Sequence, residues 1–282
     1  MNYVIEKDCI RLSDADTFEI ESILTSGQLF RFGMLENNTW WVASKDNFAT
    51  IQCVTAGDYI IHTTDPQYFV RFFDLDTDYT EILARLSKCS VLSPVLEYSR
   101  GVRLLRQPLE EVIINFIISQ NNNIPRIRKA VQGIVERFGT KKEWGYAFPT
   151  LEQLALATVG DFRSFGCGYR AEYLVHTIDR LCNTDFLTKI RSAPDTVTAR
   201  QMLLSLKGVG EKVADCILLF GLSRFDVFPV DTWIHKVYKE EFGGEATDRK
   251  TIARWFVDKF GYDSGYCQQY LFYYKRKDIK LK

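Results

Sequence analysis

A lysine and an aspartate nineteen residues apart, Lys212 and Asp231, are the pair in this chain most suited to covalent chemistry. An unprotonated lysine amine is a nucleophile toward an electrophilic carbon, and a nearby carboxylate stabilises the cation that such a reaction develops. Just ahead of the lysine stands Gly208-Val-Gly210, and just ahead of the aspartate stands Pro229-Val230. The stretch Leu206-Lys-Gly-Val-Gly-Glu-Lys-Val-Ala-Asp-Cys216 joins an apolar run over 197–204 to a second over 213–220. A connector so short and glycine-rich must turn tightly, so the spacing predicts a helix–hairpin–helix. Its glycines let backbone amides approach a ligand closely, at a helix N-terminus whose dipole favours an anion such as a phosphate. A lysine and an aspartate bracketing a phosphate grip suggest chemistry on a nucleic acid.

Each of these residues also has a plainer explanation. Lys212 falls in the first turn of its helix, where the dipole disfavours an ammonium and, with partial burial, keeps some amine free for Schiff-base chemistry. It would equally serve by reaching a phosphate or water. Asp231 suits the N-cap of a helix starting near Thr232, a use compatible with catalysis. Cys216 lies one helical turn after Lys212 on the same face, where a small core thiol is ordinary. Gln268 and Phe272 are likewise four residues apart and share a face; packing explains Phe272 well and Gln268 poorly. Asn121-Asn-Asn123 can end and cap helices, and Tyr169, between Gly168 and Arg170, can be a surface aromatic. Gly27, in Thr25-Ser-Gly-Gln-Leu-Phe30, reads as a turn or bulge at the entry to a strand.

Two kinds of structure must position these groups. Residues 1 to about 64 read as strands, with 30–35 and 39–43 forming one hairpin and 48–54 and 59–63 another. From about residue 78 the period becomes helical. A helix over 79–86 is followed by a short one after Ser93-Pro94. Gln107-Pro108 then opens a strong helix that buries Leu109, Val112, Ile113, Phe116 and Ile117, and Pro125 starts another that stops at Gly139. Thr150 and Gln153 form a capping box, Gly166-Cys-Gly168 breaks the chain before a helix over 170–181, and Thr247 or Asp248 caps a helix to about 260. The fold expected is α+β: an N-terminal antiparallel sheet domain over 1–98 and a mainly α-helical domain over 99–282.

Composition sets bounds on this reading. With 282 residues, 46% of them hydrophobic and 14% aromatic, buried cores are well supplied. Thirty-six basic and thirty-six acidic residues give no net charge, which argues against a protein that coats nucleic acid electrostatically. A site-directed enzyme that holds phosphates with backbone amides remains open. The seven cysteines are odd in number, scattered and without a CxxC pair, so free thiols are expected, with no zinc site and no iron–sulfur cluster. No apolar run approaches the roughly 20 residues that span a bilayer, and no signal-type N-terminus is present. A monomer in the cytoplasm, nucleoid-associated if prokaryotic, is expected, and the basic segment 275–282 reads as a solvated frayed tail.

Taken in order along the chain, six blocks resemble those of the 8-oxoguanine DNA glycosylase branch of the helix–hairpin–helix glycosylases. They are Thr25-Ser-Gly-Gln-Leu-Phe-Arg31, Phe116-Ile-Ile-Ser-Gln-Asn-Asn-Asn-Ile-Pro-Arg126, Gly166-Cys-Gly-Tyr-Arg-Ala171, Leu206–Cys216, Val230-Asp231 and Gly265-Tyr-Cys-Gln-Gln-Tyr-Leu-Phe272. The resemblance implies a bifunctional glycosylase/AP lyase acting on duplex DNA that carries 8-oxoguanine opposite cytosine. It implies that Lys212 attacks the sugar C1′ and that Asp231 stabilises the developing oxocarbenium charge. It assigns Gly27 to the proton at N7 of the oxidised base, Cys216 and Phe272 to its two faces, and Gln268 to its Watson–Crick edge. Asn121, Asn123, Arg126 and Arg170 would meet the opposite base and DNA, Tyr169 would fill the stack, and Gly208 and Gly210 would grip phosphate. No cofactor is implied, though the hairpin carbonyls of relatives can seat a structural metal ion.

One block departs from the family pattern. Trp233 stands where eukaryotic members carry a histidine that serves the lesion's phosphate, and Lys275 stands where an acidic partner of that histidine is expected. The paired change predicts a different phosphate clamp. Lys207, where proline is common, would add a phosphate contact. A C-terminal four-cysteine cluster, as in endonuclease III relatives, is absent from the sequence, and Lys212 sets the chain apart from the lysine-free alkylbase glycosylases. Two other readings stand beside this one: a related glycosylase for another damaged base, and a non-catalytic helix–hairpin–helix module that binds DNA.

Overall fold

The computed structural model describes residues 1–280, with side chains through Arg276. The last helix, Ser264–Lys280, carries most of the basic segment expected to fray; the side chains from 277, and residues 281 and 282 entirely, lie outside the described residues.

Six strands form the N-terminal sheet: β1 (Asn2–Glu6), β2 (Cys9–Ser13), β3 (Phe32–Met34), β4 (Thr39–Ser44), β5 (Asn47–Thr55) and β6 (Asp58–Thr63). Their order is β1-β2-β6-β5-β4-β3, and all neighbours are antiparallel. Both expected hairpins, β3–β4 and β5–β6, are present, and the sheet continues through a turn at Lys45, whose φ is +51°. Ile10 and Ile51 both oppose Ile61, and all three are fully buried, so the alternating pattern selects one inward face. The helix Pro66–Phe72 and the aromatic rings of Phe18, Phe69, Phe72 and Phe73 cover that face. One element is silent in the sequence. The helix Ile20–Thr25 buries Ile20, Ile23 and Leu24, and its N-cap is Glu19, whose carboxylate accepts the amides of Glu21 and Ser22. Glutamate is not among the usual capping residues, so no start signal shows.

A second hydrophobic core surrounds the helix Leu109–Ser119, nine of whose eleven residues are buried. A helix apolar almost all round must lie inside its domain. Against it pack Ile124–Phe138, Arg170–Asn183 and the second arm of the predicted hairpin, Glu211–Gly221, on which the first arm, Thr196–Leu204, packs in turn. Tyr79–Leu86 and Ser93–Ser99 contribute Tyr79, Ile82, Leu86, Val95 and Leu96 to this same core. Gly139 ends its helix with φ −75°, so its role is space rather than a left-handed turn: a Cβ there would lie 2.2 Å from the Ala147 carbonyl oxygen.

Buried polar contacts join the sheet to the helices. Arg31 donates to the Tyr146 carbonyl and lies 3.8 Å from Glu111, while the amide of Lys45 donates to Glu111 at 2.9 Å. The final helix returns to the N-terminal region: Gln269 donates to the Ser26 carbonyl at 3.1 Å, Tyr273 to Ser22 Oγ at 2.9 Å, and Arg276 to the Thr25 carbonyl at 2.7 Å. Segments about 250 residues apart in sequence therefore meet at Thr25–Gly27.

Candidate active site

The hairpin turn is shaped by its glycines. Gly208 has φ +80°, and a Cβ on it would stand 2.2 Å from the Tyr173 ring, so both conformation and space demand glycine. Gly210 is exposed, has open space where a Cβ would be, and N-caps Glu211–Gly221 without any side-chain cap. The first amides of that eleven-residue helix thus meet no side-chain acceptor at Gly210, which suits them to an anion.

Lys212 lies in the first turn of this helix, half-buried, with Nζ 5.6 Å from the centre of the Phe116 ring. That ring stacks on Phe220 at 5.3 Å and meets Phe30 edge-on at 5.9 Å. One turn on, Cys216 is buried against the lysine, within hydrogen-bond reach of its amine. Burial pushes the Cys216 thiol up to about 11, against the opposing charge of Lys212. At neutral pH it is an uncharged wall rather than a thiolate. Asp231 is close enough to act on the same thiol. Its Oδ1 caps Thr232–Glu240, accepting the amides of Trp233 at 3.0 Å and Ile234 at 2.8 Å. The cap engages that one oxygen, so the ordinary role expected for Asp231 leaves its second oxygen for another.

Gln268 and Phe272 stand on the final helix as a pair. Gln268 is buried, donates to the Pro229 carbonyl at 3.3 Å, and leaves its Oε1 with no hydrogen-bond partner. Such an oxygen costs stability until a donor fills it, and it lies beside the strand-like segment that leads to Asp231. Phe272 is half-buried and meets Gly27: a Cβ on Gly27 would fall 2.9 Å from the Phe272 ring and 3.2 Å from Arg276. Gly27 has φ +88°, as the expected turn requires. Its neighbour Gln28 fixes it, donating to the Arg103 carbonyl, accepting the Leu105 amide, and offering its own carbonyl to Gln107, each at 2.8 Å.

The residues expected to meet the opposite strand gather elsewhere, around the end of Leu109–Ser119. Asn121 has φ +43° and is exposed; Asn123 caps Ile124–Phe138 by accepting the Arg126 amide at 3.1 Å; Arg126 is exposed on that helix. Arg170 is buried, and its guanidinium binds the Gln120 carbonyl at 2.7 Å, the Asn121 carbonyl at 2.8 Å and the Cys167 carbonyl at 3.3 Å. It stacks 4.5 Å from the ring of Tyr169, which is 51% exposed. In this structure Arg170 therefore holds the asparagine loop in place. Trp233 is 39% exposed in the first turn of its helix, and Lys275 pairs with Glu241 at 2.7 Å.

Sequence reasoning missed the polar groups that hold the site, the buried Gln28, Gln107 and Gln269 and the half-buried Arg276. Gln28 did carry a signal, since a glutamine beside the apolar Leu29-Phe30 has little reason to be there unless it is bonded. Among the described residues no group of three or more His, Cys, Asp or Glu side chains is placed to hold a metal ion, and no helix is long and apolar enough to cross a membrane.

A helix–hairpin–helix with a lysine in the first turn of its second helix defines a class, and comparison confirms it. Residues 114–258 match the model of the HhH-GPD superfamily of base excision DNA repair proteins, and the chain belongs to that superfamily. Residues 10–113 match the N-terminal domain of 8-oxoguanine DNA glycosylase, which places the chain in that family. It is 35% identical, with a TM-score of 0.93 and 99% of both chains covered, to Clostridium acetobutylicum 8-oxoguanine glycosylase/lyase, solved with dsDNA containing cytosine opposite 8-oxoG. It is 31% identical to a probable N-glycosylase/DNA lyase of Methanothermobacter thermautotrophicus over 73% of each chain. The N-glycosylase/DNA lyase of Saccharomyces cerevisiae is 28% identical over 79% of this chain and 68% of that protein.

The Gly27–Phe272 approach makes a direct prediction. In Gly27→Ala the methyl meets the Phe272 ring, and the left-handed φ adds about 1–3 kcal/mol of strain. Excision of 8-oxoguanine is expected to fall by at least about tenfold, while cleavage of a duplex already containing an abasic site, where no base must enter, stays near wild type. Equal losses on the two substrates would remove Gly27 from the base pocket.

Proposed function

We infer that the chain is a bifunctional DNA glycosylase/AP lyase that removes 8-oxoguanine opposite cytosine from duplex DNA in base excision repair. One observation supports this reading: Lys212, just after the Gly208–Gly210 turn, stands over the Phe116 ring with the Cys216 thiol within reach of its amine, while Phe272 and Gly27, from opposite ends of the chain, come together.

In the proposed reaction the flipped base lies between Cys216 and Phe272, with Gln268 Oε1 accepting a donor of its Watson–Crick edge. The Gly27 carbonyl accepts the N7 hydrogen that 8-oxoguanine carries and guanine lacks; guanine would present a lone pair there. The amine of Lys212 bonds to C1′ as the glycosidic bond breaks, and the departing base keeps the electron pair and takes a proton. Asp231 stabilises the positive charge that develops on the sugar. Opening of the sugar gives a Schiff base at Lys212, and loss of a proton from C2′ expels the 3′ phosphate by β-elimination. The amine itself carries the chemistry, and no cofactor is needed.

Asn121, Asn123, Arg126 and Arg170 are assigned to the opposite cytosine and its strand, Tyr169 to the gap in the stack, and Gly208, Gly210 and Trp233 to phosphate. The hairpin carbonyls suit a structural metal ion as well. The Leu206 carbonyl accepts the Val209 amide at 3.1 Å and keeps a second lone pair. The place of action is the cytoplasm, or the nucleoid in a prokaryote.

A panel of duplexes tests the reading. 8-oxoguanine opposite cytosine is expected to be released faster than alkylated purines or oxidised pyrimidines. Faster release of another lesion would favour the related-glycosylase alternative, and binding without any base release would favour a non-catalytic DNA-binding module.

A further inference from the structure

Asp215 is a charged residue that the reaction above does not use. It sits three residues after Lys212 and next to Cys216, with 5% of its surface exposed. Arg200, from the other arm of the hairpin, donates to Asp215 Oδ1 through Nε at 2.8 Å and approaches the same oxygen through its terminal nitrogen at 2.7 Å. Arg200 also reaches Glu211 at 4.0 Å. The guanidinium therefore joins Thr196–Leu204 to Glu211–Gly221 on the far side of the Gly208–Gly210 turn.

Such a link sets rotation. A helix packed by apolar contacts alone has several nearly equivalent ways to roll on its neighbour, whereas a buried charge accepts only the arrangement in which it is paired. A roll of Glu211–Gly221 would swing Lys212 away from Phe116, on Leu109–Ser119, while leaving Gly208 and Gly210 in the turn. We propose that Arg200 and Asp215 are positioning residues that lock the catalytic helix to the phosphate-gripping turn, so that a duplex held by the turn is presented to Lys212 in reacting geometry. The proposal rests on Lys212 as the nucleophile.

The electrostatics favour positioning over stabilisation. Burial raises the Asp215 carboxyl from its ordinary value to about 6, outweighing the opposing pull of Arg200, with Glu211 and Asp226 pushing the same way as burial. A folded value above the unfolded one means that the native state holds a proton the unfolded chain has lost between about pH 4 and 6. Stability falls as pH rises through that window, so above it the ionised carboxylate is a net cost to the fold. The geometry of the pair, two guanidinium nitrogens on one oxygen across the hairpin, is the feature that positions the helix.

The test compares the whole chain with Asp215→Asn and with the milder Arg200→Lys. Single-turnover release of 8-oxoguanine is measured per molecule trapped by borohydride, together with affinity for a duplex bearing an uncleavable abasic analogue and the thermal midpoint. The release rate is expected to fall about tenfold or more in Asp215→Asn and less in Arg200→Lys, with affinity changed by under about threefold. The thermal midpoint of Asp215→Asn at pH 7.5 should be no lower than wild type, and the acid limb of the wild-type rate near pH 6 should shrink in that variant. A release rate per trapped molecule that is unchanged in both variants, or a loss that merely follows the unfolded fraction, overturns the proposal. Failure of the nucleophile assignment looks different: the wild-type protein itself would release base without being trapped.

Discussion

Lys212→Gln is expected to release 8-oxoguanine at least about 10³-fold more slowly than the wild-type protein and to yield no covalent adduct with DNA under borohydride. The glutamine amide has no basic lone pair to offer C1′, so both base release and strand cleavage lose their nucleophile. Binding should survive. The hairpin amides stand on Gly208–Gly210 and the first turn of Glu211–Gly221, and the lysine amine faces Phe116 and Cys216 rather than the turn. The change also removes a cation beside a buried thiol and an aromatic ring, neither of which needs it for packing, so the thermal midpoint should move by only a few degrees. An adduct that persists in the variant would show that another amine performs the attack.

The largest loss of stability is expected from Arg103→Met. Arg103 is completely buried, and its guanidinium bonds to the carbonyls of Phe73 at 3.1 Å, Thr77 at 3.0 Å, Thr17 at 3.4 Å and also Asp74. Its face lies 3.8 Å from the centre of the Tyr79 ring. Burial lowers its pKa, and neighbouring Tyr79 and Asp74 oppose that shift. A methionine would fill much of the volume but leave these carbonyls without donors in a dry interior. The cost is about 3–5 kcal/mol, or roughly 10 °C in thermal midpoint for a chain of this size. Function should suffer too, because the Arg103 carbonyl is one of the groups that hold Gln28 next to Gly27. Thermal and denaturant unfolding measure the effect, and a change below about 1 kcal/mol would show that the interior readily rearranges around the missing cation.

The contrast between Lys212 and Arg103 shows what each level of information contains. The hairpin around Lys212 declares itself because a turn with two glycines ahead of a helix is a local pattern, set by the backbone freedom of glycine and by the free amides of a helix start, and the family resemblance then proposes the lysine's role. Asp231 is equally local, a cap in front of its helix. The strands alternate, the long helices follow the three-four period, and the capping box at Thr150 forms as expected. Arg103 gives no such signal: an arginine between Val102 and Leu104 could lie on a surface, and only packing makes it the hub of a buried network.

The sequence by itself determined the hairpin, the α+β architecture and, through six ordered blocks, the family, and that resemblance is what proposes Lys212 and Asp231 for the chemistry. The hairpin and the architecture depend on residues within a few turns of one another, so propensity and periodicity encode them directly, whereas the family rests on the order of blocks spread from Thr25 to Phe272. Tertiary structure alone decided that Gly27 touches Phe272, that Gln268 keeps an unpaired oxygen beside Pro229, that Arg170 is tied to the asparagine loop, and that Arg200 clamps Asp215. Each is a contact between distant segments whose burial and bonding partners exist only after the sheet and the helices have packed. The hairpin lysine is therefore legible from the chain, whereas the approach of Gly27 to Phe272 is a product of the whole fold.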